Sequence, residues 1–164
     1  MVIRLSARFL LALAMVVTIG CDRVTKHVAT AALAGTPGHS LFADTVRLQY
    51  AENTGGFLGV GGDLHPDIRA WVFTVATGLM LIGMIVAAVR WRVRGAALMG
   101  LTLFVAGGAS NWIDRVASGF VVDFLNVGIG PVVRTGIFNV ADMAIMLGAA
   151  VMLFAEVRDA HQSR

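Results

Sequence analysis

The chain is poor in charge. Of its 164 residues only 14% are Asp, Glu, Lys or Arg, whereas 57% are hydrophobic; a soluble domain carries about 25% charged residues. That deficit points to lipid rather than water as the main solvent. There is one cysteine, Cys21, which excludes an intrachain disulfide framework. The four histidines, His27, His39, His65 and His161, fall at no metal-ligand spacing and no HExxH occurs, so neither a metal site nor a cofactor is expected. The formal charge of +3 is not gathered into a basic patch, which argues against a nucleic-acid partner.

What is present is long apolar runs. A helix crossing a bilayer core of ~30 Å needs about 20 apolar residues, and four segments meet or approach that length, at about 9–28, 70–89, 96–113 and 137–155. The first is interrupted by Asp22, Arg23 and Lys26. Backbone amides in lipid must be satisfied within the segment, so the spans are helices. The reading is an all-α membrane protein, one polytopic domain over 1–164, with four transmembrane helices and a small extracytoplasmic β-structure and loop. Arg4 and Arg8 precede the first span, Arg90, Arg92 and Arg94 crowd the turn between the second and third, and Arg158 and Arg164 follow the fourth. The positive-inside rule then sets both termini in the cytoplasm and the segments at about 29–69 and 114–136 outside.

The outer segments hold most of the acids. Leu41–Tyr50 is rich enough in Val, Leu, Phe and Tyr for a strand, and Gly55, Gly56, Gly59, Gly61 and Gly62 supply turns after it. Near the N-terminus, Thr18-Ile19-Gly20-Cys21 has the outline of a lipoprotein signal. Thr18 suits that role poorly and three spans follow, so a retained first helix is expected. Trp71, Trp91 and Trp112 and the eight methionines read as interface anchors and lipid-facing filler.

Ionisable groups at membrane depth cost at least ~2.5–3.5 kcal/mol each and are functional candidates by default. Asp123 sits in an apolar string (FVVDFL) beyond the third span, and Asp142 lies in the first turns of the fourth, with Asn139 as a candidate N-cap. If spans three and four run antiparallel, the two carboxyls share one depth. Two such groups held close cannot both ionise readily, so one stays an acid while the other serves as a base. Each residue also has a plainer reading. Asp142 alone suits a helix N-terminus, Asp123 an ordinary loop, Asp22 and Lys26 an outward i,i+4 pair, Asp114-Arg115 a structural pair, and Gly107-Gly108-Ala109 close helix packing.

Taken together, five motifs in order carry a resemblance. They are Asp22…Thr25-Lys26, Asn53-Thr54-Gly55-Gly56-Phe57, Gly107-Gly108-Ala109…Asn111…Asp114-Arg115, Val122-Asp123-Phe124 and Phe138-Asn139-Val140-Ala141-Asp142. At these spacings the chain resembles the bacterial lipoprotein signal peptidases, the type II signal peptidases, over nearly its whole length. Gly56 stands where many members carry alanine. The resemblance implies an aspartic endopeptidase of the bacterial inner membrane that works near the outer leaflet without a cofactor. Its substrate would be a prolipoprotein, cut just before a cysteine that already carries diacylglycerol. Asp123 and Asp142 would be the catalytic pair. Asn111 and Asn139 would orient the pair or the substrate backbone, Asp114 and Arg115 would stabilise the site, and Asp22, Lys26 and Asn53 would support binding and local structure. Gly107, Gly108 and Ala141 belong to the same motifs. Membrane lipid and the lipid-modified precursor are the partners, and nothing demands more than a monomer.

A different class remains open: a non-enzymatic four-span carrier or assembly factor using membrane-embedded acids. Other membrane proteases fit less well. The string closest to Gly-x-Gly-Asp, Gly59-Val60-Gly61-Gly62-Asp63, has the wrong spacing, and no Gly-x-Ser-Gly with a partner histidine lies in the spans.

Overall fold

The N-terminal helix α1 (Ala7–Leu33) carries Asp22, Arg23 and Lys26 in its second half; Asp22 and Lys26 turn inward, while Arg23 stays exposed. The computed structural model describes residues 7–130 and 133–162. Arg4 and Arg164, part of the charge argument for orientation, lie outside the described residues, as does the side chain of Arg8. After α1 come strands β1 (His39–Leu41) and β2 (Val46–Asn53). Helix α2 (Pro66–Arg90) and helix α3 (Gly95–Ser118) follow. Strands β3 (Val121–Ile129) and β4 (Val133–Arg134) and helix α4 (Val140–Gln162) complete the chain. Among the described residues α2, α3 and α4 are long and apolar enough to cross a membrane. The protein is therefore mostly helical, with three candidate membrane helices and a small antiparallel sheet.

That sheet is larger than the sequence suggested. The expected strand over Leu41–Tyr50 is split between β1 and β2 by a turn in which Phe42, Ala43 and Asp44 all take positive φ (51°, 51° and 67°). The Asp44 carboxylate holds the turn by accepting from Ser40 Oγ and Arg47 Nε, both at 2.7 Å. The Arg47 hydrogen bond keeps that carboxyl well below the usual carboxylate range. The second outer segment, read as a loop, contains the last turn of α3 and the strands β3 and β4. The order is β1-β2-β3-β4, all antiparallel, with Ala51 opposite Asp123 and an irregularity between Leu48 and Ala51. Alternation along Val121-Val122-Asp123 turns Val121 and Asp123 inward, the period-two signature of a strand with one buried face.

Helix α3 is the central element, burying Val105, Ala106, Gly107, Gly108, Ser110, Asn111 and Asp114. It meets α4 at glycines. A Cβ on Gly148 would lie 2.5 Å from the Gly100 carbonyl oxygen and 2.6 Å from the Phe104 nitrogen. Backbone cannot move aside as a side chain can. Gly148→Ala is therefore expected to destabilise the protein by about 1–3 kcal/mol in detergent unfolding. Gly20→Ala, with nothing within 4 Å of the new atom, should have no such cost.

Helix α2 opens through a wide π-helical stretch, Ala70–Ala76. Trp112 of α3 donates from Nε1 to the Thr74 carbonyl at 2.8 Å. Gly78 makes room for the indole, since a Cβ there would lie 2.8 Å from Nε1. Trp112 is thus a strut between two helices and not an interface anchor. A wide turn next to a bare glycine creates its slot. Trp71 and Trp91 do face outward, 67% and 77% exposed.

Candidate active site

The start of α4 is built by a reciprocal cap. Asn139 Oδ1 accepts from the Asp142 backbone N–H at 2.9 Å, and Asp142 Oδ2 accepts from the Asn139 N–H at 3.1 Å. This is the capping-box arrangement with Asn and Asp in its two positions. The plain reading of Asp142 as a helix N-terminal acid is therefore correct as far as it goes. One residue earlier, Phe138 pairs with Leu125 of β3 through its N–H (2.8 Å) and its carbonyl (2.9 Å). That pairing sets the helix start against the strand. As a result Asn139 Nδ2 donates to Asp123 Oδ1 at 2.6 Å. One asparagine joins the two acids.

Asp123 is nearly inaccessible, 1% exposed. Its second oxygen accepts from Asn53 Nδ2 at 2.8 Å. Asn53 is itself locked, with Nδ2 also donating to the Gly56 carbonyl and Oδ1 accepting from the Gly55 N–H, each at 2.9 Å. Burial raises the Asp123 carboxyl to about 6, opposed by the Asn53 hydrogen bond and reinforced by the Asp142 charge. Below that pH Asp123 holds its proton, and above it the group is charged. Asp142→Asn removes the neighbouring negative charge, so the Asp123 midpoint should fall toward the ordinary carboxylate range. Carboxyl-carbon NMR titration of a labelled protein reads that shift directly. An unmoved midpoint would mean that the two acids do not sense each other.

Behind the pair stands a buried ionic network. Asp22 is fully buried and accepts from Lys26 Nζ (2.7 Å), Ser110 Oγ (2.7 Å) and the Ala141 N–H (2.8 Å). Lys26 also reaches Asp114 Oδ2 at 2.6 Å and Asn111 Oδ1 at 2.7 Å. Asn111 then donates from Nδ2 to Asp142 Oδ1 at 2.8 Å. The outward reading of Asp22 and Lys26 fails because their partners sit on α3 and α4, which periodicity along α1 cannot reveal. Asp114-Arg115 is not an ion pair either. Asp114 is taken by Arg23 and Lys26, while Arg115 Nη2 donates to the Gly55 carbonyl at 2.5 Å. Gly107 packs against the Ala141 carbonyl, and a Cβ on Gly108 would meet Leu81 at 2.8 Å. These two glycines set helix spacing around the site.

Sequence reasoning missed Ser110 and Arg23. Ser110 stands four residues before Asp114 on one helix, a spacing that shares one face, so a signal was available. Arg23 gave a signal as a charge within an apolar span, but its partner, 91 residues away, could not be read from the sequence.

Two cavities flank the pair. One of about 380 Å³ runs between the helices, lined by Phe73, Met80, Phe104, Ile145 and Met146, with Asn111, Arg115 and Asp142 at its polar part. The other, about 220 Å³, is bounded by Glu52, Asn53, Thr54, Leu58, Asp123 and Ile137. An apolar channel thus ends at one acid and a more polar recess at the other.

Three helices long and apolar enough to cross a membrane, a small antiparallel sheet and two buried acids joined by one asparagine make up a fold shared with solved bacterial membrane enzymes. A bacterial membrane enzyme solved by the in meso method at 2.3 Å superposes with a TM-score of 0.78 at 23% identity, covering 94% of this chain and 91% of that one. A second, solved at 1.9 Å, gives 0.75 at 24% identity over 91% and 93%. The family model for signal peptidase (SPase) II matches residues 14–158. The lipoprotein signal peptidase of Brevibacillus brevis is 31% identical over 90% of this chain and 95% of its own length. That of Syntrophomonas wolfei is 33% identical over 84% and 86%. The chain belongs to the signal peptidase II family.

Proposed function

We propose that the protein is an aspartic endopeptidase that removes signal peptides from diacylglyceryl-modified prolipoproteins just before the lipidated cysteine, with Asp123 and Asp142 as the catalytic pair. The observation that carries this reading is the Asn139 bridge, which binds both acids through separate atoms. The ionised carboxylate takes a proton from water as the water oxygen attacks the scissile carbonyl carbon. The protonated carboxyl gives its proton to the carbonyl oxygen. Collapse of the tetrahedral species breaks the C–N bond as a proton passes to the leaving amine. The pair titrates as a unit, so the two roles belong to the dyad. Asn53, Asn111 and Asn139 hold the carboxyl oxygens in place without adding charge. The apolar cavity ending at Asp142 suits an apolar signal segment or acyl chain.

Helix α1 serves as the fourth span in this reading. Its 27 residues rise about 40 Å, enough to cross, and Asp22 and Lys26 lie inside the protein, where membrane helices keep such charges. The arginine-rich turn at residues 90–94 faces the cytoplasm with both termini, and the pair lies near the outer leaflet as a monomeric active site. A substrate anchored by two acyl chains holds its cysteine at that depth. Purified protein in detergent should cleave a diacylglyceryl-modified precursor and leave the unmodified precursor intact. Equal cleavage of both would remove the lipid requirement. Cleavage of neither would favour the carrier reading.

A further inference from the structure

Two arginines near the acids make no direct ion pair with a carboxylate, although Asp142, Asp123 and Asp114 act on Arg115 through space. Arg69, in the opening turn of α2, donates from Nη1 to Thr54 Oγ1 at 2.9 Å and to the Gly62 carbonyl at 2.8 Å. Arg115, in the last turn of α3, reaches the Gly55 carbonyl, lies 5.8 Å from the Phe73 ring centroid, and leaves its Nε buried with no hydrogen-bond partner. Among the described residues neither guanidinium forms an ion pair with a carboxylate. Both line one cavity of about 250 Å³, together with Thr54, Pro66, Phe73 and Thr74, and no acid lines it. Pro66 opens α2 without a side-chain cap, and the acid of that turn, Asp67, is exposed and does not line the cavity.

The surroundings fix the depth. Trp71 is 67% exposed, and Ile68 and Val72 beside it are also exposed. A tryptophan among exposed apolar side chains at a helix start marks the headgroup level of a bilayer. Two guanidinium groups with only neutral acceptors at that level match a phosphate, which takes charge-assisted, forked hydrogen bonds from arginine. The diacylglyceryl group of the proposed substrate carries no charge and offers neither guanidinium an anionic acceptor.

We propose that this cavity binds the phosphodiester of an anionic phospholipid from the outer leaflet, held by Arg69 and Arg115, with the Thr54 hydroxyl as a neutral donor. The proposal rests on the outward placement of the start of α2. Arg115 and Phe73 line both this cavity and the one that ends at Asp142. The bound lipid would therefore steady Arg115, and through the Gly55 carbonyl the loop that locks Asn53 against Asp123. It is a structural lipid, not a substrate.

The test is native mass spectrometry of the full chain released from nanodiscs of equal parts phosphatidylglycerol and phosphatidylcholine. Wild-type protein should retain the anionic lipid over the zwitterionic one by about tenfold or more, and Arg69→Gln should cut that preference about fivefold. Arg94→Gln, in the turn between α2 and α3, should leave it unchanged. Equal retention of the two lipids by the wild type overturns the proposal without recourse to any variant. So does an equal loss in the Arg94 variant. Inorganic phosphate binding in lipid-free zwitterionic micelles, with the same Arg69 dependence and no lipid preference, assigns the site to free phosphate and overturns it too. None of these readouts requires cleavage, so the peptidase reading stands or falls separately on the precursor assay.

Discussion

Replacing either Asp123 or Asp142 with asparagine is expected to lower cleavage of a lipid-modified precursor by about 10³–10⁴-fold while the protein still inserts and folds. Asparagine keeps the shape of the side chain but neither accepts a proton at neutral pH nor gives one up, so each variant removes half of an acid–base pair. A secondary cost accompanies the loss. Both Asp123 oxygens accept from side-chain amides, of Asn139 and Asn53. Neither amide can flip freely, because Asn139 Oδ1 is held by the Asp142 N–H and Asn53 Oδ1 by the Gly55 N–H. An amide nitrogen at position 123 must then face a locked donor. Asp142 meets the same difficulty, lying between Asn111 Nδ2 and the Asn139 backbone N–H. Each conflict should cost about 1–3 kcal/mol of stability, which leaves a folded protein and cannot by itself explain a thousandfold loss of rate. Initial rates compared at equal folded fraction separate the two effects. If either variant processes the precursor at near wild-type rate, the acids are not a catalytic pair.

The local half of this site was legible along the chain. Asn139 as N-cap and Asp142 three residues on form a pattern with a 3.6-residue helical logic, and Asp22 and Lys26 sit at i and i+4. What could not be read was which way those residues face. Asp22 lies 119 residues from the Ala141 N–H that it accepts, and no periodicity carries that distance. Strand β3 was hidden for a related reason. Its string Val121-Val122-Asp123-Phe124-Leu125 has no clean apolar–polar alternation, so it reads as part of an outer loop. Only pairing with β2 turns Asp123 inward. The slot for Trp112 depends on a wide turn in α2, which local propensity does not announce. The five spaced motifs identified the family, while the contacts among them came from the packing of α1 and the sheet around α3.

Lys26→Met should destabilise the protein by about 3–5 kcal/mol, the cost of leaving a buried carboxylate without its cation. Asp22 has no other cation in contact among the described residues, whereas Asp114 keeps Arg23. Asp22→Asn alone should cost less. The new amide oxygen can still accept the Ala141 N–H, and Lys26 retains Asp114 and Asn111, so the main cost is the amide nitrogen facing the Lys26 ammonium, about 1–3 kcal/mol. The double variant should therefore be more stable than the sum of the singles implies, with a coupling of about 1–3 kcal/mol, because the charge stranded by the first change is removed by the second. Reversible unfolding in mixed micelles measures all four corners of the cycle. Additive losses would mean that Lys26 and Asp22 are each held by other partners. The network that positions Asn111 against Asp142 would then have to be anchored through Asp114 and Arg23 alone.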